Sequence, residues 1–297
     1  MASLGDKLKG CFYGGAIGDC MGAIFENSGS YNPALLNYPW QISDDTQLTL
    51  ATIESITREG KAIPEKIAAN FLAWFNQRKI TGIGSSTLQA LRGLQVGGHW
   101  VLVGRQGEYA AGNGAAMRVA PLAFVGADRQ TIRDICRITH RNDEAYVGAL
   151  AIIEGVKAAI SGAWDGNNSL IAIIKDIIPD TAVKDRLVEL QNEVADIYTI
   201  AEKYGNSGYV VHSVPLAIYA VQQIGQFGFE NVMIELIKAG GDTDTCCSIA
   251  GNLMGALIGY SNLPYELLGQ LQQVREFEMI EKSITEFEKF VVKMNYL

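Results

Sequence analysis

Apolar residues recur every three to four positions along most of this chain, the period of a helix with one buried face. "PEKIAANFLAWFNQRK" (64–79) carries the pattern and opens on Pro64, a favoured first helical residue. The same template fits 128–140, 143–162, 169–179, 185–204, 230–240 and 278–294, and each predicts a helix. "GYVVHSVPLAIYAVQQIG" (208–225) predicts another, with Pro215 either kinking it or marking its start. Only "HWVLVG" (99–104) reads as a strand, and it is short. Strands do not alternate with helices, so no parallel sheet is expected. The pattern predicts an all-α fold, one domain over residues 1–297. The Gly-rich stretches "TGIGSS" and "VGGHWVLVGRQG" read as loops rather than linkers.

Two segments break the ordinary apolar pattern with glycine. Gly14, Gly18 and Gly22 recur at four residues, as do Gly251, Gly255 and Gly259. Each glycine costs a helix about 1 kcal/mol of propensity, so the stripes predict close helix packing. Such helices would hold the polar residues at their ends in fixed positions.

Those ends carry unusual polarity. "SDDT" (43–46) and "GGDTDT" (240–245) each run straight into an apolar helical segment. Ser, Thr and Asp before a helix are ordinary N-caps, and carboxylates suit the positive end of the helix dipole. Capping explains one or two polar residues per helix. It leaves over the adjacent acids Asp44 and Asp45 and the alternation Asp242-Thr243-Asp244-Thr245. If the two segments meet, four carboxylates share one space. Each pair at about 4 Å then repels by about 4 kcal/mol at an effective dielectric near 20. Such a cluster holds protons or binds cations. All its donors are hard oxygen, which selects Mg²⁺, Mn²⁺ or Ca²⁺ over Zn²⁺. An EF-hand starting at Asp242 fails, because Cys247 and Leu253 stand where Gly and Glu are required. An aspartyl-phosphatase loop and a terpene-synthase acid motif fail on the same kind of letter test, the latter at Leu48.

Composition narrows the setting. The chain has 297 residues, 48% hydrophobic and 19% charged, with formal net charge −8. This acidity gives no global reason to bind nucleic acid or anionic lipid. Five cysteines without a C-x-x-C pattern suggest neither a disulfide framework nor a zinc site. Without a signal-peptide pattern or a membrane-length apolar run, a cytoplasmic protein is expected.

Further local signals flank the acid motifs. Asp19 falls inside the first glycine stripe, as a buried cap or hydrogen-bond acceptor, and Glu26 follows it. "AGNGAAMRVAP" (111–121) places Gly-Asn-Gly before a helix start, a cradle for an anion or a ribose. His140 lies between two helices, as a C-terminal cap or a ligand-binding group.

Together and in this order, these stretches resemble the ADP-ribosylglycohydrolase family. The matching segments are Gly14 to Glu26, Ser43 to Thr46, Gly112 to Pro121, Thr139-His140 and Gly240 to Thr245, with "SGYVVHSVPLAIYA" as a weaker sixth. The resemblance implies a compact orthogonal multi-helix bundle with two divalent cations, Mg²⁺ or Mn²⁺. Their ligands would be Ser43, Asp44, Asp45, Asp242, Asp244 and Thr245. It implies Gly112, Asn113, Gly114, Met117 and His140 on the substrate side, with Glu26 or Asp45 as the base. The implied reaction removes ADP-ribose from a modified arginine or serine at the anomeric carbon of the distal ribose. A non-catalytic ADP-ribose binder, or a hydrolase of another ADP-ribose conjugate, are the alternatives. The expected partner is the modified protein, without membrane or nucleic acid, and the expected state is a monomer. Three departures stand out. Ser43 replaces the usual Thr, Glu108 and Tyr109 precede Gly112 where leaving-group contacts are expected, and His212 replaces a carboxylate.

Overall fold

The computed structural model describes residues 2–26 and 31–295. The predicted all-α architecture is what it contains. The helices are α1 (Leu4–Ala23), α2 (Asp44–Glu59), α3 (Pro64–Asn76), α4 (Ser85–Gln95), α5 (Trp100–Val103), α6 (Pro121–Phe124), α7 (Arg129–Arg137) and α8 (Asp143–Ser161). They continue as α9 (Leu170–Lys175), α10 (Ala182–Leu190), α11 (Ile197–Tyr204), α12 (Val210–Val221), α13 (Ile224–Ala239), α14 (Thr243–Ile258), α15 (Tyr265–Leu271) and α16 (Phe277–Asn295).

Helices α1 and α14 lie antiparallel at the centre, backbone against backbone. A Cβ built on Gly10, Gly14, Gly18 or Gly22 would strike the main chain of Gly255, Gly251, Cys247 or Thr243, respectively. The facing positions step by four on both helices, so the register is fixed along the whole contact. Gly259 lies outside the helix, though its main chain still meets Gly10 of α1. It stands just past α14 in a left-handed conformation (φ 80°) and ends that helix. Around the pair, α2, α8, α12, α13 and α16 complete the core. Ile17, Leu48, Ile53, Leu150 and Leu253 are all wholly buried in it.

The antiparallel register decides where the acids go. It sets the N-terminus of α14 beside the C-terminal turn of α1, where the Thr243 hydroxyl donates to Gly22 O (2.8 Å). Just under one turn back along α1, buried Asp19 binds the start of α2. Its carboxylate accepts from Ser43 N (3.0 Å), Thr46 N (3.2 Å) and Thr46 Oγ1 (2.5 Å).

Several elements differ from the periodicity. "HWVLVG" forms the short helix α5, not a strand. His99 caps it by accepting from Val101 N (3.3 Å), and Val103 folds back onto Gly93 and Gly98. The strands lie at β1 (Arg105–Gln106) and β2 (His140–Arg141), which pair in parallel and place Arg105 opposite His140. The predicted helix over 185–204 is two helices, because Asp196 starts α11 anew by accepting from Thr199 N (2.7 Å). Pro215 neither starts nor ends α12 but sits inside it.

Glycine at the α1–α14 contact and glycine elsewhere should behave in opposite ways. Gly18→Ala should lower stability by about 1–3 kcal/mol, because the facing element is backbone and cannot rotate away. Gly269, in α15, has nothing near its missing Cβ, so Gly269→Ala should raise stability by about 0.5–1 kcal/mol. Urea unfolding of both variants checks the pair.

Candidate active site

The two acid motifs meet. The Thr245 hydroxyl, in the first turn of α14, donates to Asp45 Oδ2 in the first turn of α2 (3.3 Å). Ser43 caps α2, accepting from Asp45 N (3.2 Å), and its own hydroxyl donates to the same Asp45 Oδ2 (3.3 Å). The capping explanation therefore holds for Ser43. It does not hold for Asp242, whose side chain caps nothing and instead accepts from Asn113 Nδ2 (2.9 Å).

Asp44, Asp45, Asp242, Asp244 and Thr245 floor a cleft. Glu26, Gly112, Asn113, Gly114, Met117 and His140 also line it. Ser43 does not; it supports Asp45 from behind. Eleven of the twelve residues singled out from the sequence thus share one cleft. The sequence reading missed the wall formed by Gly82 and Gly84 to Thr87, and also Gly208. The Gly-rich letters of "TGIGSS" were visible but indistinguishable from those of an ordinary loop. Gly208 has a steric reason to be glycine, since a Cβ there would lie 2.8 Å from Asp242 Oδ2.

Burial and mutual repulsion shape the acids. Asp44 is pushed up to about 7, chiefly by burial and then by the charge of Asp19. Asp244 is pushed up to about 9 by burial and by Asp242. Asp45, only 1% exposed, is driven well above the carboxylate range by burial and then by Asp244, Asp19 and Asp44. Glu26, at the mouth of the cleft, is raised by partial burial and by Asp242. Asp45 Oδ1 is buried and has no hydrogen-bond partner. A buried carboxylate oxygen left unpaired costs at least about 1–3 kcal/mol, and of the unpaired buried side-chain atoms among the described residues this one belongs to a residue lining the cleft. Among the described residues, no three His, Cys, Asp or Glu side chains already stand together as a metal-holding group.

The Gly-Asn-Gly wall is held rigidly. Asn113 Nδ2 also donates to Ser213 Oγ (3.1 Å), and Asn113 N donates to Gly208 O (3.0 Å). Behind the wall lies Arg118, wholly buried in the 3-10 helix Asn113–Arg118. It donates to Gly114 O and to Thr139 Oγ1 (2.6 Å), with its guanidinium 5.0 Å from the centre of the Phe71 ring. His140 is pushed down to about 3 by burial and by the charges of Arg118 and Arg105. The three departures lie outside the cleft or behind it. Tyr109 is 80% exposed and Glu108 is also on the surface. His212 pairs with Ser207 Oγ (2.9 Å) and meets Tyr209 edge-on.

The ADP-ribosylglycohydrolase family model matches residues 1–291. The ADP-ribosyl-[dinitrogen reductase] glycohydrolase of Rhodospirillum rubrum is 27% identical, over 93% of this chain and 94% of its own. The ADP-ribosylarginine hydrolase Tri1 of Pseudomonas putida is 26% identical, over 88% of this chain and 73% of its own. A solved ADP-ribosylglycohydrolase-related protein complex superposes with a TM-score of 0.75. It covers 97% of this chain and 99% of its own at 23% identity, and so shares the fold. Among the described residues, no helix is long and apolar enough to cross a membrane.

The raised carboxyls carry a linked stability effect. A folded state that holds protons more tightly than the unfolded chain loses stability as pH rises. The contribution of Asp44 and Asp244 is therefore fully present below the ordinary carboxyl value of about 4. It is lost as pH rises through about 7 for Asp44 and about 9 for Asp244. In chelator, the wild-type melting temperature should fall from about pH 5 to about pH 9. Asp244→Asn, which cannot ionise, should flatten the upper part of that fall; melting curves of both proteins across this range decide it.

Proposed function

The chain belongs to the ADP-ribosylglycohydrolase family, and we propose that it releases ADP-ribose from a modified protein side chain, arginine or serine. The bond cleaved is the glycosidic bond at the anomeric carbon of the distal ribose. The observation that carries this reading is the unpartnered Asp45 Oδ1 within an acid cluster, on the floor of a cleft walled by Gly-Asn-Gly.

Two divalent cations, Mg²⁺ or Mn²⁺, fit the donor set. Four carboxylates balance their charge, every donor is hard oxygen, and Oδ1 of Asp45 has no competing partner. Asp44, Asp45, Asp242, Asp244 and Thr245 would hold them, with Ser43 orienting Asp45 through its hydroxyl. Bound there, such ions would supply a grip on the ribose hydroxyls and a lowered pKa for water.

The chain's own groups divide the rest. Asp45 is fixed by Ser43 and Thr245 and closed off from solvent, which suits holding rather than proton transfer. Glu26 stands at the mouth, accessible, with its pKa raised by partial burial and by the charge of Asp242. It takes the proton of the attacking water and returns it to the side-chain oxygen or nitrogen that leaves the anomeric carbon, a raised pKa suiting a carboxyl to both transfers. The carboxylates beneath the ribose offset positive charge as the oxocarbenium-like transition state develops. Asn113, locked by Asp242 and Ser213, fixes the wall against which the nucleotide part lies.

The expected result is metal-dependent release of free ADP-ribose from ADP-ribosylated arginine or serine peptides; the name of the Pseudomonas relative puts arginine first in the panel. No release from either peptide with either metal would overturn the reading. Glu26→Gln should lower kcat by about 10²–10⁴-fold while keeping the rise in melting temperature caused by Mg²⁺ or Mn²⁺. Asp45→Asn should lose both. Turnover assays and melting curves with and without metal separate the two roles.

A further inference from the structure

One buried chain of hydrogen bonds behind the cleft has a direction that can be worked out. It runs from Arg118 through Thr139 to His140. Arg118 Nη2 donates to Thr139 Oγ1 (2.6 Å), and Thr139 Oγ1 lies 2.7 Å from His140 Nδ1. An arginine can only donate, so one lone pair of the hydroxyl is taken. Thr139 is wholly buried, and these are its side-chain hydrogen bonds. The single proton of the hydroxyl has one acceptor within reach, His140 Nδ1. Were Nδ1 protonated instead, the hydroxyl would accept twice and its own proton would be stranded in the core. The nitrogen facing Thr139 therefore carries no proton. The pressure on His140 to stay uncharged, from burial and two nearby guanidinium groups, agrees with this. In an uncharged imidazole whose Nδ1 accepts, the proton sits on Nε2.

That nitrogen lies beneath Gly112, at the cleft that His140 lines. Nε2 lies 3.0 Å from where a Cβ on Gly112 would stand, and Cε1 lies 2.9 Å from the same point on Gly114. The ring is seated under the two glycines, and any side chain at either would displace it. Nε2 has no protein acceptor among the described residues, while His140 lines the cleft beside Asn113. The β1–β2 pairing holds the backbone at this point, with Arg105 N donating to Thr139 O (3.0 Å). Arg118 also grips Gly114 O, so one side chain fixes both the glycine wall and the ring beneath it.

We propose that Arg118 is a positioning residue which, through the Thr139 hydroxyl, fixes His140 with its proton on Nε2 and so presents a fixed N–H donor to a ligand oxygen in the cleft. This deepens the ADP-ribose reading by assigning how one wall of that same site recognises a phosphate or hydroxyl oxygen. A donor whose direction is set before the ligand arrives loses no rotational freedom on binding.

The test begins on the ligand-free protein, so its outcome does not depend on what the ligand proves to be. In ¹⁵N side-chain spectra near neutral pH, His140 should show a protonated Nε2 and an unprotonated Nδ1. A protonated Nδ1 in the wild type overturns the proposal. Arg118→Lys, if it melts cooperatively, should give a mixture of tautomers; an unchanged Nε2–H signal would remove Arg118 from the mechanism. Thr139→Val keeps shape without the hydroxyl, and Thr139→Ser restores the hydroxyl. By calorimetry, Thr139→Val should bind ADP-ribose about tenfold more weakly than wild type, with Thr139→Ser within about twofold, the loss expected for one hydrogen bond of about 1.4 kcal/mol. Equal affinity in Thr139→Val and wild type overturns the donor role even if the tautomer is as assigned.

Discussion

The backbone contact between α1 and α14 is the constraint on which the rest depends. Glycine on α1 lets two main chains touch where side chains would normally keep helices about 8–10 Å apart. Because the helices run antiparallel in one register, the N-terminus of α14 has one place to go. That place is beside the last turn of α1, and Asp19, a little earlier on α1, draws in the N-terminus of α2. Two helix starts with four acids are thus brought together by a backbone contact and by the hydrogen bonds of Asp19, neither of which uses a carboxylate of those four.

The arrangement sets packing against electrostatics. Hydrophobic burial around the central pair is extensive enough to hold carboxylates where burial and mutual repulsion both oppose their ionisation. Helix dipoles favour negative charge at both starts, by about 0.3–1 kcal/mol each when exposed, which offsets only part of this. Arg118 lies close enough to Asp44 for their charges to favour each other, yet it spends its hydrogen bonds on the glycine wall and on Thr139. The protein's own cations therefore leave the cluster unneutralised, so it either holds protons or takes an external cation.

The fold class and the composition of the cleft were legible in the sequence because each leaves a repeated or locally dense signal. Helical periodicity extends over many residues, the glycine spacing marks the close contact, and Asp-Asp beside Asp-x-Asp exceeds what caps require. Other features leave no such trace. Two-residue strands at 105–106 and 140–141 are too short for any period, so the pairing that seats His140 was invisible. The apolar letters of 99–104 fit a strand until His99 is seen to cap a helix turn. The break between α10 and α11 depends on one Asp196 cap within an otherwise helical pattern. Arg118 and Thr139 stood inside quoted motifs, but their part is defined by a contact across 21 positions that spacing cannot show.

The register of the central pair also bears on the order in which the chain can fold. The two partners stand near opposite ends of the described sequence, α1 within residues 4–23 and α14 within 243–258. On a ribosome, α1 emerges with its glycine face bare and waits for nearly everything else to be made. Contacts between such distant segments close slowly, since the intervening loop entropy must be overcome first. The cleft floor needs both helix starts, so it forms only once α14 has been made.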